Sequence, residues 1–183
     1  MCECFKDVEL KIKILNPNAK VPHKREEDSG YDIYGIIEDD YIVLAPGENV
    51  IIGTGIAMEF PKGLGFIIGN RGSVGTKCAI VGAHVIDSGY RGEIKIDLHN
   101  ISGRFILITD MKIEDILQSV NPTMDFLHNS QVFLNKIPII IPKSSALCQG
   151  LIVPTLHLSV KIVDELSNSE RKENAFGSTN NII

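Results

Sequence analysis

The chain has 183 residues, 44% of them hydrophobic, which suits one globular domain with a sizeable core. A formal net charge of −5 argues against a broad nucleic-acid or anionic-membrane surface, yet leaves room for a phosphate ligand held by a few local cations. Residues 1–20 lack the sustained apolar run of a signal peptide, and the apolar stretch 133–141 is short and broken by Asn135, Lys136 and Pro138, so a soluble cytoplasmic protein is expected.

In chain order, residues 8–15 alternate, with Val8, Leu10, Ile12 and Ile14 in one phase and mostly lysine or glutamate in the other, as a half-buried strand does. Residues 41–44, 49–52 and 65–68 are further short apolar or β-branched runs, separated by the turn signals Asn16-Pro17-Asn18, Pro46-Gly47 and Pro61-Lys62-Gly63. Residues 93–100 alternate again, and 151–163 are rich in Val, Ile, Leu and Thr. Many short strands with few helical patterns predict a sandwich or small barrel. One segment breaks the rhythm: in DMKIEDILQSV, residues 110–120, Met111, Ile113, Ile116, Leu117 and Val120 fall close to one helical face. Thr109 or Asp110 is positioned to cap this helix and Asn121-Pro122 to end it, inside an insertion between strands. The polar tail from 167 to 183 is expected to be flexible, or ordered only by a ligand. Cys2 and Cys4 form a C-x-C without a second ligand pair, and Cys78 and Cys148 stand alone, so reduced thiols are expected rather than zinc or a disulfide framework.

Four separated stretches carry candidate chemistry. They are DSGYDIY (28–34), the basic glycine-rich loop GNRGSVGTK (69–77), VGAHVIDSGYRGE (81–93) and RKENAFGSTN (171–180). In the second, backbone N–H groups and Arg71 suit an anion such as phosphate. Taken singly, each also reads as a surface turn, a strand end or a frayed terminus.

Taken in order, they resemble the trimeric dUTPase family, the dUTP nucleotidohydrolases, over nearly the whole chain. DSGYDIY resembles the family's first motif, NRGSVG stands at the second, and HVIDSGYRGEIKI is close to a full third. LCQGLIVP (147–154) resembles the fourth motif and RKENAFGST the fifth. GIAMEFPKG, residues 55–63, matches the segment that leads into the second. The resemblance implies an all-β, jelly-roll-like β-barrel over residues 1–166, with a short helical insertion near 104–142 and a flexible C-terminal arm, 167–183, carrying the fifth motif. It implies a homotrimer with each site shared among three subunits, and hydrolysis of dUTP to dUMP and pyrophosphate with Mg²⁺ on the triphosphate. Asp87 would be the general base that activates water. Tyr90 would lie against the deoxyribose, leaving no room for a 2′-hydroxyl. The hairpin backbone at Ile80, Val81 and Gly82 would read uracil. Arg71, Gly72, Ser73 and Gln149 fall at phosphate-binding positions, Phe176 would stack on the uracil, and Arg171, Gly177, Ser178 and Thr179 belong to the closing arm. Asp32 would act through water on the Mg²⁺ site or serve as structural support.

The chain departs from the family pattern in places. The second motif usually reads Pro-Arg-Ser-Gly or Arg-Ser-Ser; here Gly72 replaces the serine that would meet the bridging phosphate oxygen. Ser144, Ser145 and Ala146 stand where the fourth motif normally has Gly-Asp and a basic residue, and the fifth is poor in glycine. His84 and Asp97 resemble the related dCTP deaminases, which carry an Ala-His pair and a catalytic glutamate at those places. Two alternatives follow: a weakened dUTPase-like nucleotide-binding regulator that contacts a protein partner through the insertion, and, behind it, a dCTP deaminase. Ile113, Ile116 and Leu117 would form the partner face, although such a stripe more often packs on its own domain.

Overall fold

The alternation at 93–100 becomes the most regular strand of the fold, with Ile94, Ile96, Leu98 and Asn100 buried and Glu93, Lys95, Asp97 and His99 on the opposite face. In the computed structural model of the chain, residues 9–112, 115–116 and 138–169 are described. These residues form three sheets. The first runs β1 (Lys11–Ile14), β4 (Asn49–Glu59), β8 (Glu93–Asn100), β6 (Ala79–Val81). The second runs β10 (Ile139–Ile141), β9 (Ile106–Thr109), β3 (Tyr41–Leu44), and the third β2 (Tyr31–Ile33), β11 (Cys148–Pro154), β5 (Leu64–Asn70), β7 (Val85–Asp87). All pairs are antiparallel except β9 with β10. A four-residue helix, α1 (Gly72–Gly75), follows β5 in the strand order.

The three sheets close on one core. Ile33, Leu44, Ile56, Phe66, Ile94, Leu98, Ile106, Ile141 and Leu147 are all buried in a single apolar cluster, the arrangement expected of the jelly-roll-like β fold. Phe66 sits at its centre, fully buried on β5, with the Phe60 ring 6.4 Å away. β5 is hydrogen-bonded on one side to β11 and on the other to β7, so it ties the candidate motifs together. Phe66→Ala should therefore lower stability by about 3–5 kcal/mol, the usual range for emptying a buried aromatic site. Urea unfolding would show this as a lower midpoint; a change under about 1 kcal/mol would contradict this account of the core.

Two strand expectations need correction. The run 151–163 forms a strand only to Pro154; residues 155–163 lie in no sheet, with Leu156, Leu158, Val160 and Ile162 between 75% and 94% exposed. Their period-2 pattern is a strand's, but among the described residues no strand pairs with them. The first strand is shorter than 8–15, spanning Lys11–Ile14 with Ile14 largely exposed; Val8 lies outside the described residues.

Of the predicted helix at 110–120, residues 115–116 are helical, with the Ile116 N–H donating to the Lys112 carbonyl at 3.2 Å. Asp110 Oδ1 accepts from the Ser144 backbone and hydroxyl at 3.2 and 3.0 Å, and residues 113 and 114, at the start of the helix, lie outside the described residues. Thr109 Oγ1 accepts from the Met111 N–H at 3.0 Å. Ile116 is buried, so this member of the apolar stripe packs inward; Ile113 and Leu117 lie outside the described residues. β9 and β10 fall within the span 104–142 and pair with each other, so the chain leaves from and returns to one sheet. Cys78 and Cys148 are free thiols, and burial pushes the Cys148 thiol up to about 12.

Candidate active site

Three of the four motif stretches within the described residues meet at one end of the third sheet. β11 lies between β2 and β5, and its register sets Gln149 beside Asp32 on one side and Gly69 on the other. Past the end of β5 the chain turns at Arg71 into α1. The Arg71 guanidinium reaches back across the sheet, donating from Nε to Asp32 Oδ1 at 3.0 Å, while its Nη1 donates to the Ser73 hydroxyl. Gln149 Nε2 donates to the Asn70 carbonyl at 2.8 Å. Asp32, Arg71, Gly72, Ser73 and Gln149 line one open cavity of about 590 Å³. Strand pairing thus assembles what 117 residues of sequence separate, from Asp32 to Gln149.

The same cavity has walls that sequence reasoning missed. His23, Lys24 and Arg25 line it together with Asp28, Ser29 and Gly30. The His23-Lys24-Arg25 triplet, two residues before the first motif, was the available signal. Arg25 forks onto Asp28 at 2.9 and 2.8 Å, and that hydrogen bond, from side chain first and backbone second, holds the Asp28 carboxyl down at about 2. Lys24 Nζ donates to the Asp28 carbonyl at 2.7 Å. The cavity therefore offers three permanent cations and two carboxylates, a local excess of positive charge on an acidic protein, and suits a polyanion.

Ser73 stands against the Arg71 guanidinium, so its hydroxyl anchors the arginine. An ideal Cβ on Gly72 would meet nothing within 4 Å, which leaves the space of the family's serine empty.

The third motif lies elsewhere on the chain. β7 pairs with β5 so that Asp87 stands opposite Gly65, at the far end of β5 from Arg71. At ~3.3 Å per strand residue, Gly65 and Arg71 are roughly 20 Å apart. Asp87 is exposed, and a tight turn follows it, with the Tyr90 N–H donating to the Asp87 carbonyl at 3.0 Å. The Tyr90 ring folds over Gly92, where a Cβ would come within 2.4 Å of the phenol oxygen, and Tyr90 Oη donates to the Glu93 carbonyl at 3.1 Å. Asp87 and Tyr90 do not line the cavity around Arg71.

Between β6 and β7 the hairpin around Ile80, Val81 and Gly82 is fastened on both sides. The Val81 N–H donates to Asn70 Oδ1 at 2.8 Å and the Gly82 N–H to the Asp97 carbonyl at 2.7 Å. His84 is a fastening too. Its carbonyl accepts from the Ile68 N–H at 2.7 Å, and its Nδ1 must donate to the Ile68 carbonyl, also at 2.7 Å, because a carbonyl can only accept. Asp97 accepts from His99 Nε2 at 2.9 Å and from Asn49 Nδ2 at 2.8 Å. The His99 bond first, then the Asn49 bond, hold the Asp97 carboxyl below the ordinary range.

Among the described residues no group of three or more His, Cys, Asp or Glu side chains is placed to hold a metal ion. Asp28 and Asp32, the carboxylates of the cavity, are both engaged by guanidinium groups. This donor set fits Mg²⁺ carried on a ligand's phosphate oxygens and touched through water, rather than an ion in a protein cage. Arg171, Phe176, Gly177, Ser178 and Thr179 lie outside the described residues. Among the described residues no helix is long and apolar enough to cross a membrane.

Fold and cavity together define an all-β protein with an arginine-centred polyanion cradle at a sheet end. Residues 17–121 match the family model for dUTPase. The deoxyuridine 5′-triphosphate nucleotidohydrolase of Nautilia profundicola is 32% identical over 176 residues, covering 94% of this chain and 99% of the relative. That of a Hydrogenobaculum species is 30% identical over 176 residues, covering 94% and 98%. Among solved structures, a mutant of the Staphylococcus bacteriophage 80alpha dUTPase with dUpNHpp is 28% identical, with a TM-score of 0.67 over 93% of this chain and 98% of that one. The chain belongs to the dUTPase family.

Proposed function

We propose that this chain hydrolyses dUTP to dUMP and pyrophosphate, as the names of its relatives indicate for them. The observation that carries the reading is the convergence of Asp32, Arg71 and Gln149, from three motifs, on one cation-rich cavity. In the reaction, Asp87 accepts a proton from water as the water oxygen bonds to the α-phosphorus. The bond from that phosphorus to the bridging oxygen breaks, and pyrophosphate leaves with the electron pair. Arg71 and Gln149 hold phosphate oxygens, and the Asp32 carboxylate keeps the guanidinium aimed. Tyr90 packs on the deoxyribose, and the backbone at Ile80, Val81 and Gly82 reads uracil. Phe176 stacks on the base while Arg171, Gly177, Ser178 and Thr179 close the arm over the phosphates. Mg²⁺, when bound with the substrate and approached through water by Asp32, would supply neutralisation of the phosphate charge. The free Cys78 and Cys148 thiols suit a reducing compartment, and we assign the protein to the cytoplasm. Purified protein with Mg²⁺ and dUTP should release pyrophosphate, while dCTP should yield no ammonia; no release from dUTP despite binding would remove the reading. Against deamination stands Asp97. A carboxylate held ionised by two donors is a poor carrier of protons to an amine.

The working unit is a homotrimer. Two features support this: Asp87 lies roughly 20 Å along β5 from its own Arg71, and the exposed period-2 run Leu156, Leu158, Val160, Ile162 has the pattern of a strand awaiting another chain. Leu158→Asp combined with Val160→Asp should yield a monomer by light scattering and lower turnover at least ~100-fold, since each site would lose its second half. A variant that stays trimeric and active would count against shared sites.

A further inference from the structure

Beneath the hairpin lies a polar cluster that the reaction does not use. β8 is flanked by β4 and β6, and Asp97 and His99 point away from the core on the face that the hairpin folds over. Asn49 stands on β4 in register with His99, and Ile80 on β6 is in register with the same residue, so the cluster bridges three strands. Asn49 Nδ2 donates to one Asp97 oxygen at 2.8 Å and His99 Nε2 to the other at 2.9 Å. The Asp97 main chain then takes a hairpin amide, its carbonyl accepting the Gly82 N–H at 2.7 Å, while its side chain packs against Gly82. Contact is so close that a Cβ on Gly82 would come within 2.2 Å of Asp97 Oδ2 and 2.5 Å of His99 Nε2. Only glycine lets the hairpin settle onto the pair.

A backbone reader works by which N–H and C=O groups remain unspent and which way they point. The Asp97 carbonyl consumes the amide of Gly82, while Asn70 consumes that of Val81. Losing the carboxylate would remove the surface on which Gly82 rests and let the hairpin drift by a fraction of an ångström. For a donor–acceptor edge, that drift is enough to blur one pyrimidine into another.

We propose that Asp97, held by Asn49 and His99, is a positioning residue that sets pyrimidine selectivity by fixing the hairpin backbone, a role resting on the dUTP reading above. Asp97 does not touch the reacting atoms, so its effect falls on base binding and leaves chemistry at phosphorus alone. Asp97→Ala should raise KM for dUTP about tenfold with kcat within about twofold, the pattern of lost uniform binding. Inhibition by pyrophosphate, which has no base, should be unchanged. Asp97→Asn, which keeps one acceptor, should recover part of the loss. Asn49→Ala, on an exposed strand position, should give the same signature at about threefold, and keeps the test alive if Asp97→Ala folds poorly.

Calorimetric titration of dUMP and dCMP into wild type and the variants decides the matter without turnover. If wild type prefers dUMP and the variants lose about tenfold (Asp97→Ala) or threefold (Asn49→Ala) of that preference, the role stands. If wild type prefers dUMP and the variants keep the full preference, with only a lower melting temperature, the cluster is a sheet fastening and the proposal is overturned. Wild type that binds neither nucleotide removes the dUTP reading itself, and this inference with it.

Discussion

Asp87→Asn should leave substrate binding intact and lower turnover by about 10³-fold, within the span general-base catalysis usually supplies. The substitution preserves shape and one acceptor oxygen but removes the site that takes the proton from water. Little else should change, because the strand position is fixed by main-chain pairing with Gly65 and by the turn to Tyr90, and the side chain is exposed. A Michaelis constant within a few-fold of wild type with collapsed kcat would mark an interaction made only in the transition state. Release of pyrophosphate from dUTP reads kcat, and titration with a non-hydrolysable dUTP analogue reads binding. Turnover within about tenfold of wild type would assign the base to another residue.

Strands were legible where burial left its own mark on the sequence. Residues 93–100 and 41–44 show the period or the apolar run that burial demands, and both appear in the structure. β6, β7 and β2 were not legible as strands. Each is three residues long, shorter than any periodic signal, and each is fixed by pairing with a distant strand rather than by its own composition. The opposite error occurred at 155–163, where a composition rich in Val, Ile, Leu and Thr promised a strand that nothing among the described residues pairs with. A pattern records the face a segment is built to bury, and is silent on whether the partner belongs to the same chain.

Site residues divide the same way. Arg71, Asp32 and Gln149 could be named from motif text, but that Arg71 is bound to both Asp32 and Ser73 is a tertiary fact. So is the entry of Lys24 and Arg25 into the cavity wall. The meaning of His84 changed most. As text it resembled a deaminase residue while the motifs around it favoured a plain hairpin position; in three dimensions both its carbonyl and its ring are spent on Ile68, so it holds the hairpin to β5. Asp97 moves with it, from a suspected proton carrier to an acceptor filled by Asn49 and His99.

The phosphate grip is where this chain departs most from its family, and the structure makes that departure reversible. Gly72→Ser should raise kcat at least about tenfold, and as much as ~10²–10³-fold if the new hydroxyl reaches the oxygen that gains charge, since such a donor is worth roughly 2–4 kcal/mol. Nothing opposes the change sterically: an added Cβ has no neighbour within 4 Å, and Gly72 is not among the residues with positive φ. Ser73 accepts from Arg71 and keeps its own O–H free to donate, so what Gly72→Ser adds is a second hydroxyl at the position of the family's serine. Nor is the gain a matter of stiffening α1, because Gly72→Ala would stiffen the helix at least as well and supplies no donor. The comparison of Ser with Ala at this position therefore isolates the hydroxyl. Placed on Asp87→Asn, the serine should recover only a small part of the lost rate, because a better leaving-group contact does not replace a proton acceptor. Equal rates for the serine and alanine variants would mean that the bridging oxygen lies out of reach of residue 72, and that the loop as it stands grips the phosphates through Arg71 and its backbone alone.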